Sequence, residues 1–141
     1  MAAVAHWLAD TSALARLTNP TVAAVLAPRV EAGTVGMCGM VALELLYSAR
    51  SPAEHARSRD NVRRGFEWLA MGDGEWERAI DVQAALAAQG RLREVKLPDL
   101  LIAATAERHR VAVIHYDSDF DAIAQVTGQP TEWVVPRGSV Q

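Results

Sequence analysis

The order of helix and strand signals along this chain predicts an α/β fold, a parallel sheet covered by helices on both faces. Three observations predict it. Val111-Ala112-Val113-Ile114 is a continuous apolar run rich in β-branched residues, as expected of a strand buried on both sides. Strand-like runs alternate with segments that carry helix start and stop residues, the pattern that makes neighbouring strands parallel. Half of the 141 residues are hydrophobic and 22% are charged. A chain of this length buries roughly two-thirds of its extended surface on folding, so it reads as one domain over residues 1–141.

Val4 to Ala9 reads as a short buried strand ending at Asp10. Asn19-Pro20 opens a helix, with Asn as N-cap and Pro at the first helical position, and Gly33 stops it after about Ala32. Thr34 to Cys38 is a second strand. Met40 to Ala49 is apolar, free of breakers and longer than most strands, hence helical. Ser51-Pro52-Ala53-Glu54 has capping-box spacing and opens a polar helix expected to reach about Ala70. After the turn Gly72-Asp73-Gly74, a helix from about Glu75 to Gln89 places Ile80, Ala84 and Ala87 or Ala88 on one face. Arg91 to Leu97 is a basic loop, and Pro98 starts a helix through about Arg108. The strand at 111–114 follows, then a short helix from Asp119 to Val126 closed by Gly128, and a last strand from Thr131 to Val135.

A formal charge of −3 and a pI near 5.8 exclude a protein that grips nucleic acid by bulk positive charge. Nucleic acid handled at a local site remains open. The lone Cys38 excludes an intrachain disulfide and a thiolate zinc site, and its apolar surroundings read as those of an inert buried thiol. No apolar run approaches the roughly 20 residues that span a bilayer. The first residues lack a basic region, and His6, Trp7 and Asp10 interrupt their apolar part, so a cytoplasmic protein is expected. Lys96 is the only lysine.

Most of the 17 acids lie in polar helix-like segments. Asp10, Glu44, Asp99 and Asp117 do not. Asp10 and Asp117 follow predicted strands, and Asp119 lies two residues further on. Glu44 sits within Met40-Val41-Ala42-Leu43-Glu44-Leu45-Leu46-Tyr47, and Asp99 within Leu97-Pro98-Asp99-Leu100-Leu101-Ile102. A desolvated carboxylate must be paired, protonated or metal-bound. Pairing with lysine is scarcely available in this composition. Converging carboxylates repel one another, which makes a hard cation such as Mg²⁺ or Mn²⁺ the natural partner. Each acid also has a structural reading: Asp10 as a helix cap, Asp99 as a partner of the helix dipole, Asp117 and Asp119 as turn and cap residues. In a parallel sheet, residues at the carboxyl ends of strands share one crevice.

These acids and their neighbours carry a family resemblance. Leu8-Ala9-Asp10-Thr11-Ser12-Ala13-Leu14, Val41-Ala42-Leu43-Glu44-Leu45, Leu97-Pro98-Asp99-Leu100-Leu101-Ile102-Ala103-Ala104-Thr105-Ala106 and His115-Tyr116-Asp117-Ser118-Asp119-Phe120-Asp121 resemble, in this order, the motifs of PIN-domain ribonucleases of the VapC toxin type. The resemblance implies a three-layer α/β/α fold around a parallel sheet. It implies an acidic quartet at Asp10, Glu44, Asp99 and Asp117 with Asp119 as accessory ligand, Mg²⁺ or Mn²⁺ dependence, and RNA cleavage. It also implies inhibition by a small VapB-type antitoxin and homodimerisation. His115 departs from the Thr or Ser of many relatives and is open to three readings: a donor to the acids, an RNA contact, or a strand-end residue.

The expected chemistry is hydrolysis in which a carboxylate-held ion activates water and offsets charge on the phosphate. Ser12 can position water or a phosphate oxygen, or cap the backbone. Arg91 and Arg93, with Lys96, flank Asp99 and can meet RNA phosphates, or form a solvated loop. Arg57, Arg59, Arg63 and Arg64 are interleaved with acids and read as a solvated helix face, and Trp68 and Trp76 as core or partner contacts. A receiver-like phosphoacceptor domain also clusters acids at strand ends, but it needs a lysine near the late strands, and 111–135 contains none. A phosphatase of the haloacid dehalogenase type needs an Asp where Ser12 stands. A catalytically silent PIN binding module is the remaining alternative.

Overall fold

The computed structural model describes residues 4–141. Its elements run β1 (Trp7–Ala9), α1 (Thr11–Leu14), α2 (Pro20–Glu31), β2 (Val35–Met37), α3 (Gly39–Tyr47), α4 (Pro52–Gly65), β3 (Glu67–Trp68), α5 (Asp73–Ala88), α6 (Leu97–His109), β4 (Ala112–His115), α7 (Asp119–Thr127) and β5 (Thr131–Trp133). The strands form one parallel sheet in the order β3-β2-β1-β4-β5, with helices on both faces. This is the expected three-layer α/β/α architecture.

The register puts Leu8 opposite Gly36 on one side and Val113 on the other. Leu8, Val35, Met37, Val113 and Ile114 are fully buried, so the centre of the sheet is apolar on both faces. Helix α6 is buried from Asp99 through Ala106 and joins the sheet to α5. Strand order grows from β1 through β2 to β3 and then restarts on the opposite side of β1 with β4. The chain therefore switches direction between β1 and β4, and the crevice outside their carboxyl ends is the place where α/β sheets bind ligands.

Local signals behave as their chemistry dictates. Asn19 Oδ1 accepts the Thr21 amide at 2.9 Å, and Ser51 Oγ accepts the Glu54 amide at 3.0 Å. Glu54 reaches the Arg50 amide at 3.3 Å, one residue before the position that would complete the capping box. Gly128 ends α7 in the left-handed region, at φ 71°.

Several elements differ from the sequence reading. The first strand begins at Trp7 rather than Val4. Helix α4 ends at Gly65, not near Ala70, because Glu67 and Trp68 pair with Gly36 and Met37 as an edge strand. The Glu67 carboxylate also accepts the Ala5 amide at 2.7 Å, a tertiary contact with no local signature. Helix α1 is a single turn capped by the Asp10 side chain. Helix α5 buries Glu75, Ala79, Val82 and Leu86, while Ile80 is 61% exposed. Apolar residues lie on more than one stripe of α5, and packing against α6 selects the stripe one residue away from Ile80. Trp68 and Trp76 are exposed, which excludes the core reading. No helix among the described residues is long and apolar enough to cross a membrane.

A β-carbon at Gly36 would lie 2.6 Å from Leu69 Cδ1 and 2.8 Å from Leu69 Cγ. Gly36→Ala should therefore cost about 1–3 kcal/mol, as overpacking of a tight core does. Urea unfolding should show a lower midpoint at unchanged slope.

Candidate metal centre

Asp10 leaves β1 at the switch point. Its amide donates to the Ile114 carbonyl at 2.9 Å, which fixes it beside β4. Its Oδ2 accepts the Ser12 amide at 3.0 Å and the Ser12 hydroxyl at 2.5 Å. Ser12 Oγ in turn accepts the Tyr116 amide at 2.8 Å and so ties the ends of β1 and β4 together. The second oxygen of Asp10, Oδ1, is buried without a hydrogen-bond partner. Burial pushes the Asp10 carboxyl above its ordinary value, and the Asp117 charge adds to this against the Ser12 hydrogen bonds.

Glu44 projects from α3, where Thr11 Oγ1 donates to its Oε1 at 2.9 Å. Partial burial and the Asp10 charge raise its pKa. Asp99 opens α6 and is 3% exposed, with Oδ2 lacking a hydrogen-bond partner. Asp117 follows β4. Its Oδ1 accepts the Asp119 amide at 2.9 Å, a local turn that aims both side chains at the start of α6. One carboxylate oxygen from each of Asp99, Asp117 and Asp119 lies within 4.8 Å of the others. Asp10 and Glu44 border this trio.

Pairing with lysine, expected to be scarcely available, is supplied by the one lysine of the sequence. Lys96 Nζ lies 2.9 Å from Asp117 Oδ2, 2.7 Å from Asp119 Oδ2 and 3.4 Å from Asp99 Oδ2. The Lys96 amide also donates to Asp119 Oδ2 at 2.9 Å. Burial works against a charged Lys96, yet its bonds to Asp119 and Asp117 raise its pKa above the ordinary value. Burial likewise opposes ionisation of Asp119, but the Lys96 donors and a hydrogen bond from Asp99 hold its carboxyl below the usual range. Asp99 is pushed up to about 8, by burial first, then by the hydrogen bond shared with Asp119 and the charges of Asp10 and Asp117.

His115 is fully buried, with its ring centroid 5.0 Å from those of both Phe120 and Trp133. Its Nδ1 accepts the Asp117 amide at 3.1 Å, which places the proton of the neutral ring on Nε2. Burial lowers its pKa to about 4. Full burial removes the RNA-contact reading and leaves an acceptor that holds the Asp117 backbone.

The other predicted residues are placed as follows. Ser12 uses its hydroxyl within the protein, between Asp10 and Tyr116. Arg91 is bound to Glu94 at 2.6 and 2.9 Å and to Gln125 at 2.9 Å, while Arg93 is exposed. Cys38 is buried, and burial pushes its thiol up, as suits an inert residue. Thr11 had no assigned role, and Lys96, read as a phosphate contact or a solvated loop residue, is instead bound to the acids. Lys96 had one available signal, its place three residues before Asp99.

The PIN domain family matches residues 8–126. The chain belongs to this family. It is 44% identical over 134 residues to ribonuclease VapC21 of Mycobacterium tuberculosis H37Rv, covering 95% of this chain and 97% of that protein. It is 42% identical over 134 residues to ribonuclease VapC51 of the same organism, covering 95% and 96%. The fold matches DNA-bound VapBC from Salmonella typhimurium with a TM-score of 0.74 at 17% identity, covering 93% of this chain and 99% of that one. It matches VapBC-1 of nontypeable Haemophilus influenzae with a TM-score of 0.73 at 16% identity, covering 93% and 98%.

The donor set fits the divalent ion of a PIN domain. All candidate ligands are hard oxygens, as Mg²⁺ and Mn²⁺ require. Asp10 Oδ1 and Asp99 Oδ2, buried without hydrogen-bond partners, are what coordination would satisfy.

The raised Asp99 pKa has a defined sign. Its contribution to stability is fully present below the unfolded carboxyl value near 4 and is lost as pH rises through about 8. In chelator, Asp99→Asn should melt several degrees above wild type at pH 8.5, and the gap should close toward pH 4. Thermal scans across that range check this.

Proposed function

We propose that this PIN-domain protein is a metal-dependent endoribonuclease, the toxin of a VapBC-type pair, acting in the cytoplasm as one PIN domain. The observation that carries the reading is the convergence of the Asp99, Asp117 and Asp119 oxygens at the sheet's switch point, next to the orphaned oxygen of Asp10. Asp10, Glu44, Asp99 and Asp117 are the catalytic acids, and Asp119 completes the ligand set. A divalent ion held there supplies an acidified water and offsets charge on the scissile phosphate.

The chain's own residues position this chemistry. Ser12 and Thr11 orient Asp10 and Glu44 through 2.5 and 2.9 Å hydrogen bonds. His115 holds the Asp117 amide, and the buried start of α6 keeps Asp99 away from bulk water. Arg93 and Lys96 are exposed and in this reading meet RNA phosphates, and Arg91 would first have to leave Glu94.

Two surfaces support the partners. Between α3 and α4 lies a groove of about 520 Å³ with an apolar floor that includes Leu43, Leu46 and Val62 and a rim that includes His55, Arg59 and Arg63. It suits an amphipathic antitoxin helix with acidic flanks. Trp76, Ile80 and Leu97 are 56%, 61% and 65% exposed and form an apolar face on α5 and the start of α6, suited to a second copy.

Excess chelator should abolish cleavage of single-stranded RNA, and Asp10→Asn, Glu44→Gln, Asp99→Asn and Asp117→Asn should each lower the rate by more than about a hundredfold. Undiminished cleavage in chelator would overturn the reading. Ile80→Glu should convert a dimer into a monomer in light scattering at tens of micromolar, with the far-ultraviolet circular dichroism unchanged.

A further inference from the structure

Lys96 occupies an unusual place. It is the sole lysine of the sequence, and its ammonium contacts the same three carboxylates whose oxygens converge. The side chain is 62% exposed, whereas that of Asp99 is 5% exposed. It therefore reaches the acids from the solvent side, over the mouth of the site. Its backbone amide also donates to Asp119 Oδ2, at 2.9 Å, and helix α6 begins at the next residue, Leu97. The ammonium can leave while the residue stays at the rim.

A dication held by these three carboxylates competes with an ammonium that contacts all three. Both draw on the same carboxylate charge, and two cations a few ångströms apart repel by several kcal/mol at the effective dielectric of a protein surface. Arg91 is committed to Glu94 and Gln125. Lys96 is thus the cation whose position must change when the acids take up an ion.

We propose that Lys96 is the built-in counter-ion of the carboxylate cluster, that a divalent ion displaces its ammonium, and that the displaced ammonium then holds an RNA phosphate at the mouth of the site. The proposal rests on the reading of this cluster as the metal centre. It makes Lys96 a residue with two states: a competitor of the metal in the free protein and a substrate contact in the loaded one. Removing its charge should tighten metal binding and weaken RNA binding, a combination that a structural role for Lys96 does not produce.

The test uses Mn²⁺ titrated calorimetrically into the full-length wild type, Lys96→Gln and Lys96→Arg, with steady-state cleavage of a single-stranded RNA. Lys96→Gln should bind Mn²⁺ about tenfold more tightly than wild type, a change of about 1.4 kcal/mol. Its KM for RNA should rise several-fold with kcat little changed. Lys96→Arg, which keeps the charge, should stay near wild type in both. The wild type supplies an independent readout: labelled with ¹³Cε-lysine, it gives a single lysine side-chain resonance, which should move toward the free-lysine position as Mg²⁺ saturates the protein. Unchanged or weaker Mn²⁺ binding by Lys96→Gln, or a lysine resonance that ignores Mg²⁺, overturns the proposal and leaves the metal-centre reading standing. Tighter Mn²⁺ binding with unchanged KM overturns the transfer to phosphate. No Mn²⁺ binding by any of the three proteins removes the metal centre itself and the proposal with it.

Discussion

The crowding of carboxylates at the carboxyl ends of β1 and β4 is the constraint on which the rest of the site depends. Asp10, Asp99 and Asp119 are buried, and each would repel its neighbours if all were ionised. The fold meets this cost in three ways. Hydroxyl and amide donors from Thr11, Ser12 and the backbone stabilise individual oxygens. Burial pushes the Asp99 carboxyl up, which favours its neutral form and lowers the total charge. Lys96 supplies a positive charge over the cluster. None of these removes the demand of Asp10 Oδ1 for a partner, and that residual demand marks the cluster as a site rather than an ion-pair network.

Such a cluster stays in place only if the strands that carry it cannot slide. The β1–β4 pairing is apolar throughout, Leu8 against Val113 and Ala9 against Ile114, and Ser12 links the two chains again beyond the last rung. On the far side, His115 packs between Phe120 and Trp133, and Trp133 Nε1 donates to the Asp121 carboxylate at 3.2 Å. The loop bearing Asp117 and Asp119 is thus held between core aromatics and the first turn of α7. A neutral His115 suits this place, because an imidazolium would lose its Nδ1 acceptor role and would bury a charge among aromatic rings.

How much of this was legible in the sequence follows from which signals are local. Asp10, Glu44 and Asp99 stood out because an acid within an apolar segment conflicts with its surroundings, and that conflict is visible one residue at a time. The helix starts at Asn19 and Ser51 were legible because caps act within three residues. Strand β3 was not, because two residues with a glutamate among them become a strand only when Gly36 and Met37 lie alongside. The buried stripe of α5 was misplaced because an Ala-rich helix offers several apolar stripes, and only its partner α6 chooses among them. Lys96 was read as a phosphate contact or a solvated loop residue, and its pairing with the acids was missed for a similar reason. A lysine in a polar loop reads as solvated, and the acids it meets at Asp117 and Asp119 lie more than 20 residues away.

The distribution of charge explains how a protein of net charge −3 can act on a polyanion. Five of its 17 acids, Asp10, Glu44, Asp99, Asp117 and Asp119, meet at the crevice, while Arg57, Arg59, Arg63 and Arg64 are exposed on α4. Solvent-exposed charges on α4 are screened within about 8 Å at physiological salt and do not neutralise the acids that a phosphate would touch. The local sign at the crevice must therefore be reversed from within it. A bound cation is the largest charge such a site can hold and inverts the potential that an approaching phosphate meets. In the function proposed above, attraction of RNA and assembly of the reactive centre would be one event: the acids that repel a polyanion when unpaired are the same groups that would recruit the charge that draws it in.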